Sequence, residues 1–308
     1  MQLLRSSRIS PRLLELPNAR IAAEQFADLH TNTVAAMQDE LVGYGAAPLP
    51  VGSWAMMCHA VISCENLGHA LSRFGRFYGL FDIGCGFELI PGSETLTLRL
   101  LPKDPAAPMA AYPVENFLFN IYRLSCWLIQ AHVPLIAANF TYAPPEQAAE
   151  YRLLWLGGAI HFEQPYSELV FPLATTERHL RQNAATLRRL LRYPMLSLLT
   201  LYYRNANWAM RVREMLRGSF TTMPELDEVA TTLQIHPQTL RRRLMEEGTS
   251  FKEVKSRLRR DIALYYLGKP GFSIEEIAYR AGYSESSAFI RAFKGWTGVA
   301  PYVYRKGL

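Results

Sequence analysis

An α+β N-terminal domain followed by an all-α C-terminal domain is what this 308-residue sequence predicts, and three observations carry it. Leucines recur on every second residue around 87–100, which marks a β-hairpin among segments of otherwise helical spacing. The pentad Leu226-Asp227-Glu228-Val229-Ala230 is echoed 48 positions later by Ile274-Glu275-Glu276-Ile277-Ala278. After each pentad come a short turn and a second helix carrying Arg, Gln238 to Met245 and Glu285 to Lys294. The C-terminal domain therefore reads as two helix-turn-helix motifs joined by a linking helix, an arrangement made for double-stranded DNA. The expected division is 1–175, a helical connector at 176–206, and 207–308, with the two motifs at about 224–245 and 272–295.

In the first part, Ile21, Phe26, Leu29, Met37 and Leu41 keep a loose 3.6-residue spacing and predict a helix over 20–43. Gly43, Gly45, Pro48, Pro50 and Gly52 break it, and a second helix is expected from Glu65 to Tyr78. Phe87–Ile90, the turn Pro91-Gly92-Ser93-Glu94 and Thr95–Leu100 form the hairpin. Val114, Phe117, Leu118, Ile121, Leu124 and Leu128 return to helical spacing over 114–131. Short strands are expected at Leu135–Tyr142 and Glu168–Phe171. Residues 176–205 read as helices rich in Arg (Arg178, Arg181, Arg188, Arg189, Arg192), either a dimer or DNA-proximal surface or a solvated face.

In the second part, Asn207–Arg217 is a support helix closed by Gly218. The first motif opens with a helix at about Pro224–Leu233, whose buried stripe is Leu226, Val229, Ala230 and Leu233. Its second helix begins near His236, with Pro237 in the first turn. Leu240 and Leu244 face the core at i, i+4, which turns Gln238, Arg241 and Arg242 outward. Arg bonds guanine O6/N7 bidentately and Gln bonds adenine N6/N7, so these three are the base-reading candidates. Arg243 lies nearer the edge, where phosphate contact is expected. Residues 251–268 form the linking helix, stopped by Gly268 and Pro270. Two heads on one DNA face would sit about one helical turn apart, roughly 34 Å. In the second motif Gly282 makes the turn and Ser284 is the expected N-cap. Phe289 and Phe293 pack inward, Ser287 and Arg291 point to bases, and Ser286 and Lys294 to phosphates; Trp296 belongs to the core.

Bulk properties agree. Residues 219–308 hold 14 Lys and Arg against 10 Asp and Glu, while residues 1–218 hold 19 against 17. The basic excess is concentrated in the C-terminal part, as a polyanion partner requires. No stretch reaches the roughly 18 apolar residues of a membrane span, and no signal peptide is evident, so a cytoplasmic location without membrane association is expected. Cys58, Cys64, Cys85 and Cys126 match no paired zinc spacing and read as small apolar residues of a reduced interior. No catalytic elbow, P-loop or metalloprotease motif occurs, so neither a catalytic site nor a cofactor or metal is expected.

The run Ser273–Ala278, Gly282–Phe289, Arg291–Lys294, Trp296-Thr297-Gly298, Pro301 and Tyr304-Arg305 closely resembles the signature of AraC/XylS-type transcriptional regulators over about residues 207–305. The resemblance implies sequence-specific binding to promoter DNA and, as for most of the family, activation with RNA polymerase as partner. It supports Gln238, Arg241, Arg242, Ser287 and Arg291 as base readers. One departure is Gln234, in the first turn, where family members often carry Gly. If that position needs φ > 0, Gln costs on the order of 1 kcal/mol.

Residues 1–175 more loosely resemble the arabinose-binding-like N-terminal effector domain of one branch of that family. The features are Ile21–Phe26, Leu67-Gly68-His69-Ala70-Leu71, Phe74–Phe81, Tyr151-Arg152 and Glu168–Pro172. The resemblance implies sensing of an unidentified small-molecule effector and allows a homodimer. Arg73, Phe74, Phe77 and Tyr78 are the effector-binding candidates, set against a plain helix packed on a sheet. Two other functions stand beside a regulated activator. One is a DNA-binding enzyme of the alkylation-response type, which needs thiolates converging on zinc. The other is a constitutive regulator whose N-terminal domain only dimerises.

Overall fold

A computed structural model describes residues 1–308 other than 17–18, 105, 107–108, 156–157, 202–207, 218–222 and 307–308. The expected Asn207 and Gly218 ends of the support helix lie outside the described residues. In chain order the helices are α1 (Gln2–Ser6), α2 (Ala23–Met37), α3 (Ser53–Val61), α4 (Leu67–Tyr78), α5 (Ala111–Leu128), α6 (Tyr151–Leu154), α7 (Leu173–Thr176), α8 (Ala184–Leu190), α9 (Pro194–Leu199), α10 (Trp208–Arg217), α11 (Leu226–Thr232), α12 (Pro237–Glu246), α13 (Phe251–Leu267), α14 (Ile274–Arg280), α15 (Ser286–Thr297) and α16 (Pro301–Lys306). The strands are β1 (Cys85–Pro91), β2 (Thr95–Pro102), β3 (Ala137–Asn139), β4 (Ala159–His161) and β5 (Ser167–Pro172). The fold class is the one expected, α+β followed by all-α.

The chain forms two compact units whose division differs from 1–175, 176–206 and 207–308. A sheet unit spans Thr33–Tyr203, and a helical unit combines Met1–Asn32 with Arg204–Leu308. The reason is where apolar side chains find partners. Ile9 and Leu13 are buried with Ala263, Leu264, Ile277, Phe289 and Phe293, far away in sequence. Leu187, Leu190 and Leu198, from the expected connector, are buried in the core of the sheet unit.

The sheet unit is built on strands in the order β1-β2-β5-β3-β4, antiparallel except for β3 against β4. Its hairpin has the predicted turn, closed by the Gly92 N–H donating to the Thr95 carbonyl at 2.8 Å. Leu98, Leu100, Ala138, Leu169 and Phe171 are buried in the core. Helices α4 and α5 meet the sheet through aromatic edges: Phe74 and Phe117 both make T-shaped contacts with Phe87, at 5.2 and 5.5 Å. Gly75 lets α4 approach, since a Cβ there would stand 3.3 Å from that of Phe87.

Helix α3 lies outside the sequence expectation. The Gly- and Pro-rich stretch before it folds around two carboxylates. Asp39 accepts from the N–H groups of Leu41, Gly43 and Leu49 at 2.8–2.9 Å. Glu40 accepts from Gly52 and Trp54 at 2.7 Å and so caps α3. The expected helix over 20–43 is shorter, Ala23–Met37, because Gln38 turns into the left-handed region at φ +53°.

Residues 176–201 are fastened to this unit by Arg123 of α5, itself 3% exposed. Its Nε donates to the Leu198 carbonyl at 2.8 Å and its Nη2 to that of Leu201. Arg178, Arg181, Arg188, Arg189 and Arg192 are all exposed. Among the described residues no helix is long and apolar enough to cross a membrane.

Replacing Arg123 by Leu removes its bonds to the Leu198 and Leu201 carbonyls at the end of α9. We expect a loss of about 2–4 kcal/mol, the cost of buried groups left unpaired, measured by urea unfolding followed by circular dichroism. A loss under about 0.5 kcal/mol, the range of an ordinary surface substitution, would refute the anchoring role.

Candidate nucleic-acid interface

Both helix-turn-helix motifs fold by the same local rules. Glu225 caps α11 and Ser273 caps α14, each in a capping box with the acid three residues on, Glu228 and Glu276. Helix α11 starts at Leu226, two residues after the expected Pro224, because the extended Glu225 supplies its first acceptor to Val229 N–H. The turns then match bond for bond. Ile235 N–H reaches the Ala230 carbonyl and Gln234 N–H that of Thr231, both at 3.0 Å. Tyr283 N–H reaches the Ala278 carbonyl and Gly282 N–H that of Tyr279, both at 2.9 Å. This is the Schellman pattern, which places its central residue in the left-handed region. Gly282 sits there at φ +76° and Gln234 at φ +57°. Gln234 is therefore a strained residue in a glycine position.

The second helices start differently. At α12 the N-cap is His236, whose Nδ1 accepts from Gln238 N–H at 3.2 Å, with Pro237 following. At α15 the N-cap is Glu285, not Ser284: the first intrahelical acceptor is the Glu285 carbonyl, bonded by Phe289 N–H at 3.2 Å. Buried Leu240 and Leu244 hold α12 down, and buried Phe289 and Phe293 hold α15. Gln238, Arg241, Arg242 and Arg243 are consequently exposed on the first head, and Ser287, Arg291 and Lys294 on the second. Ser286, first residue of α15, is half-buried. Arg242 and Arg243 share Glu246 at 3.6 and 3.4 Å. Neither Arg241 nor Arg291 has an acidic partner among the described residues.

Three contacts that no local sequence pattern announces brace the heads. Lys255, 8% exposed, pairs with Glu225 at 2.7 Å beneath the start of α11. Arg259 lies over the Tyr283 ring at 4.6 Å and donates to the Gly282 carbonyl at 2.9 Å, fixing the second turn. Glu247 accepts from Trp208 and Ala209 N–H at 2.7 and 2.9 Å, capping α10. Trp296 packs half-buried against the second core and donates to Ser256 at 2.9 Å.

Of the effector candidates, Tyr78 touches the rings of both Phe74 and Phe77, at 4.7 and 5.4 Å. Phe74 and Tyr78 are 2% and 3% exposed within the sheet unit's core. Arg73 is exposed and donates to the Ala60 carbonyl at 2.8 Å, beside the end of α3. A small cavity of ≈ 10 Å³ lies between α4 and α5, lined by Leu67, Leu71, Phe74, Ile121 and Leu128 among others. That is room for about one water molecule, not an organic ligand.

Comparison with known proteins agrees with this geometry. The family described as "Arabinose-binding domain of AraC transcription regulator, N-term" matches residues 1–180, and a "Helix-turn-helix domain" family matches 229–307. The chain belongs to the AraC family of DNA-binding transcription regulators. It is 29% identical to the ornithine utilization regulator of Pseudomonas aeruginosa over 303 residues, 98% of this chain and 89% of that protein. Over 79 residues it is 42% identical to the regulator VirS of Mycobacterium tuberculosis, 26% of this chain and 23% of that one. Among solved structures, the regulator CdpR of Pseudomonas aeruginosa aligns over 99% of this chain and 96% of its own, at 22% identity and a TM-score of 0.37.

Gln234→Gly removes the left-handed penalty at the first turn. We expect a gain of about 0.5–1 kcal/mol after the greater unfolded-state freedom of Gly is counted, read as a rise in unfolding midpoint. A destabilised variant would contradict the strain assignment.

Proposed function

We propose that this protein is a sequence-specific transcription activator acting in the cytoplasm, controlled by a small molecule bound to the sheet unit. One observation carries the DNA-reading part of this proposal. Two helices seated by the same turn each present outward Arg, Arg241 and Arg291, without an acidic neighbour among the described residues. In the proposed complex Gln238, Arg241, Arg242, Ser287 and Arg291 meet base edges, while Arg243, Ser286 and Lys294 meet phosphates. Effector control is supported by the match of residues 1–180 to a ligand-binding family; one relative is named for ornithine utilization. Promoter DNA, RNA polymerase and a second copy of the chain are the proposed partners. An effector acts only by binding the DNA-competent and incompetent states with different affinity.

We assign no catalytic role, cofactor or metal. The alkylation-response chemistry needs ionised thiols, and burial drives these the other way. It raises the Cys85 thiol to about 12 and the Cys126 thiol to about 11, and raises Cys58 and Cys64 as well.

The test is selection of bound duplexes by the full-length protein at near-physiological salt. A recurring asymmetric site is expected, because the two heads carry different side chains. Arg241→Ala and Arg291→Ala should each lower discrimination at one subsite by about 1–3 kcal/mol. Unchanged discrimination in both would sink the base-reading assignment. Lys294→Ala should weaken all sequences alike and lower the salt slope by about one. For the cysteines we expect no stoichiometric zinc, and thiol labelling of Cys58, Cys85 and Cys126 only on unfolding; rapid labelling of the folded chain would reopen the enzymatic alternative.

A further inference from the structure

We propose that residues 1–16 and 19–22, the N-terminal arm, are a working part of the second DNA-reading head, with Ile9, Leu13 and the Arg20 carbonyl as positioning groups for α15. This rests on the second head reading bases as described above. The family match places residues 1–22 in the N-terminal domain. Their packing places them in the helical unit instead.

Ile9 and Leu13 are 3% and 6% exposed, in one cluster with Leu264 and Leu267 of α13, Ile277 of α14 and Phe289 and Phe293 of α15. The last two are the side chains that seat the reading helix. Tyr304 of α16 is 2% exposed, stands edge-on to Phe293 at 5.5 Å, and donates its hydroxyl to the Arg20 carbonyl at 2.8 Å. Phe293 is one residue from Lys294 and two from Arg291, so its position sets where both cations point. The arm is itself built to hold a shape. Gln25, 2% exposed, donates to the Arg8 carbonyl and accepts from Ala22 N–H, bracing the arm against the first turns of α2. Arg8, at φ +57°, pairs with Asp28 at 3.1 Å. The first head has its own core of Val212, Leu216, Val229, Ala230, Leu240, Leu244 and others, to which no described residue of the arm belongs. Loss of the arm therefore strikes one head and spares the other.

The experiment uses full-length protein carrying Leu13→Asp or, as the conservative control, Leu13→Met. Two quantities are read. The first is amide hydrogen exchange in α14–α16 against α11–α12. The second is the affinity ratio of the selected duplex to duplexes with substituted bases in one subsite or the other. Leu13→Asp should speed exchange in α14–α16 alone and bring the second-subsite ratio from about tenfold or more, the worth of one good base contact, towards one. The first-subsite ratio and Leu13→Met should stay as in the native chain. Equal exchange in both heads, or an undiminished second-subsite ratio, overturns the proposal. If the native chain shows no discrimination at the second subsite, base reading by that head fails instead, and exchange alone decides whether the arm holds α15. If Leu13→Asp does not fold, Tyr304→Phe, which deletes one hydroxyl, takes its place with the same two outcomes.

Discussion

Helix α13 is the member on which the DNA-binding unit depends. Its N-terminal half buries Val254 and Leu258 in the core of the first head, and its C-terminal half buries Ala263, Leu264 and Leu267 in that of the second. Ile262 packs against both. A helix rises 1.5 Å per residue, so 17 residues hold two small cores at a fixed spacing and rotation. Each core is only a few side chains deep, and neither helix pair buries enough apolar surface to stand alone. The capping box of Ser250 with Glu253 and the ion pair of Arg213 with Asp261 at 2.8 Å set where α13 starts and how α10 lies along it. What the heads can reach on a duplex follows from this one rod.

How much of this was legible in the sequence varies with the range of the interaction. The duplicated motifs were, because turn and i, i+4 burial are local, as at Gln234, Leu240 and Leu244; the caps at Glu225 and Glu285 were not, since the neighbouring Pro224 and Ser284 carry the stronger local signal. The left-handed turn at Gln234 was legible for the same reason, through its counterpart Gly282. The hairpin showed because its strands adjoin. Helix α3 did not show, since its start is organised by Glu40, twelve residues upstream, through carboxylate bonds that leave no periodic trace. The arm was invisible: Ile9 and Leu13 look like any two apolar residues, and their partners lie some 250 positions away. The aromatic richness at Phe74–Phe81 fits a pocket lining and a helix packed on a sheet alike, and the T-shaped contacts of Phe74 with Phe87 and of Tyr78 with Phe117 are of the second kind.

The connectivity has a mechanical consequence. The chain leaves the helical unit at Asn32 and re-enters it at Arg204, so the sheet unit is an insertion tethered at both ends. One tether continues the segment that packs on the second head; the other leads into α10, which packs on the first. A change of state in the inserted unit therefore has a covalent route to each head separately. Under the proposed effector control, the effector drives such a change only by the difference in its affinity for the two states, and a coupling of about 1–3 kcal/mol is typical for regulation.

The two heads are unequal in how their cations are held, and this bears on which base contacts form first. Arg242 and Arg243 share Glu246 on an exposed face, where such pairs are worth about 0–1 kcal/mol. To reach DNA either must give up that pair. For Arg242, the proposed base reader of the two, a bidentate contact with guanine is worth about 1–3 kcal/mol of discrimination, so exchange is favourable at the right base and close to neutral at a wrong one. Glu246 thus subtracts from non-specific attraction more than from specific binding, and it does so on the first head only. On the second head Lys294 and Arg291 have no such competitor among the described residues, while Ser287 offers bases a weaker, more tolerant contact. In the proposed complex the two heads therefore meet DNA with different side chains and different competitors, and an asymmetric site is what they call for.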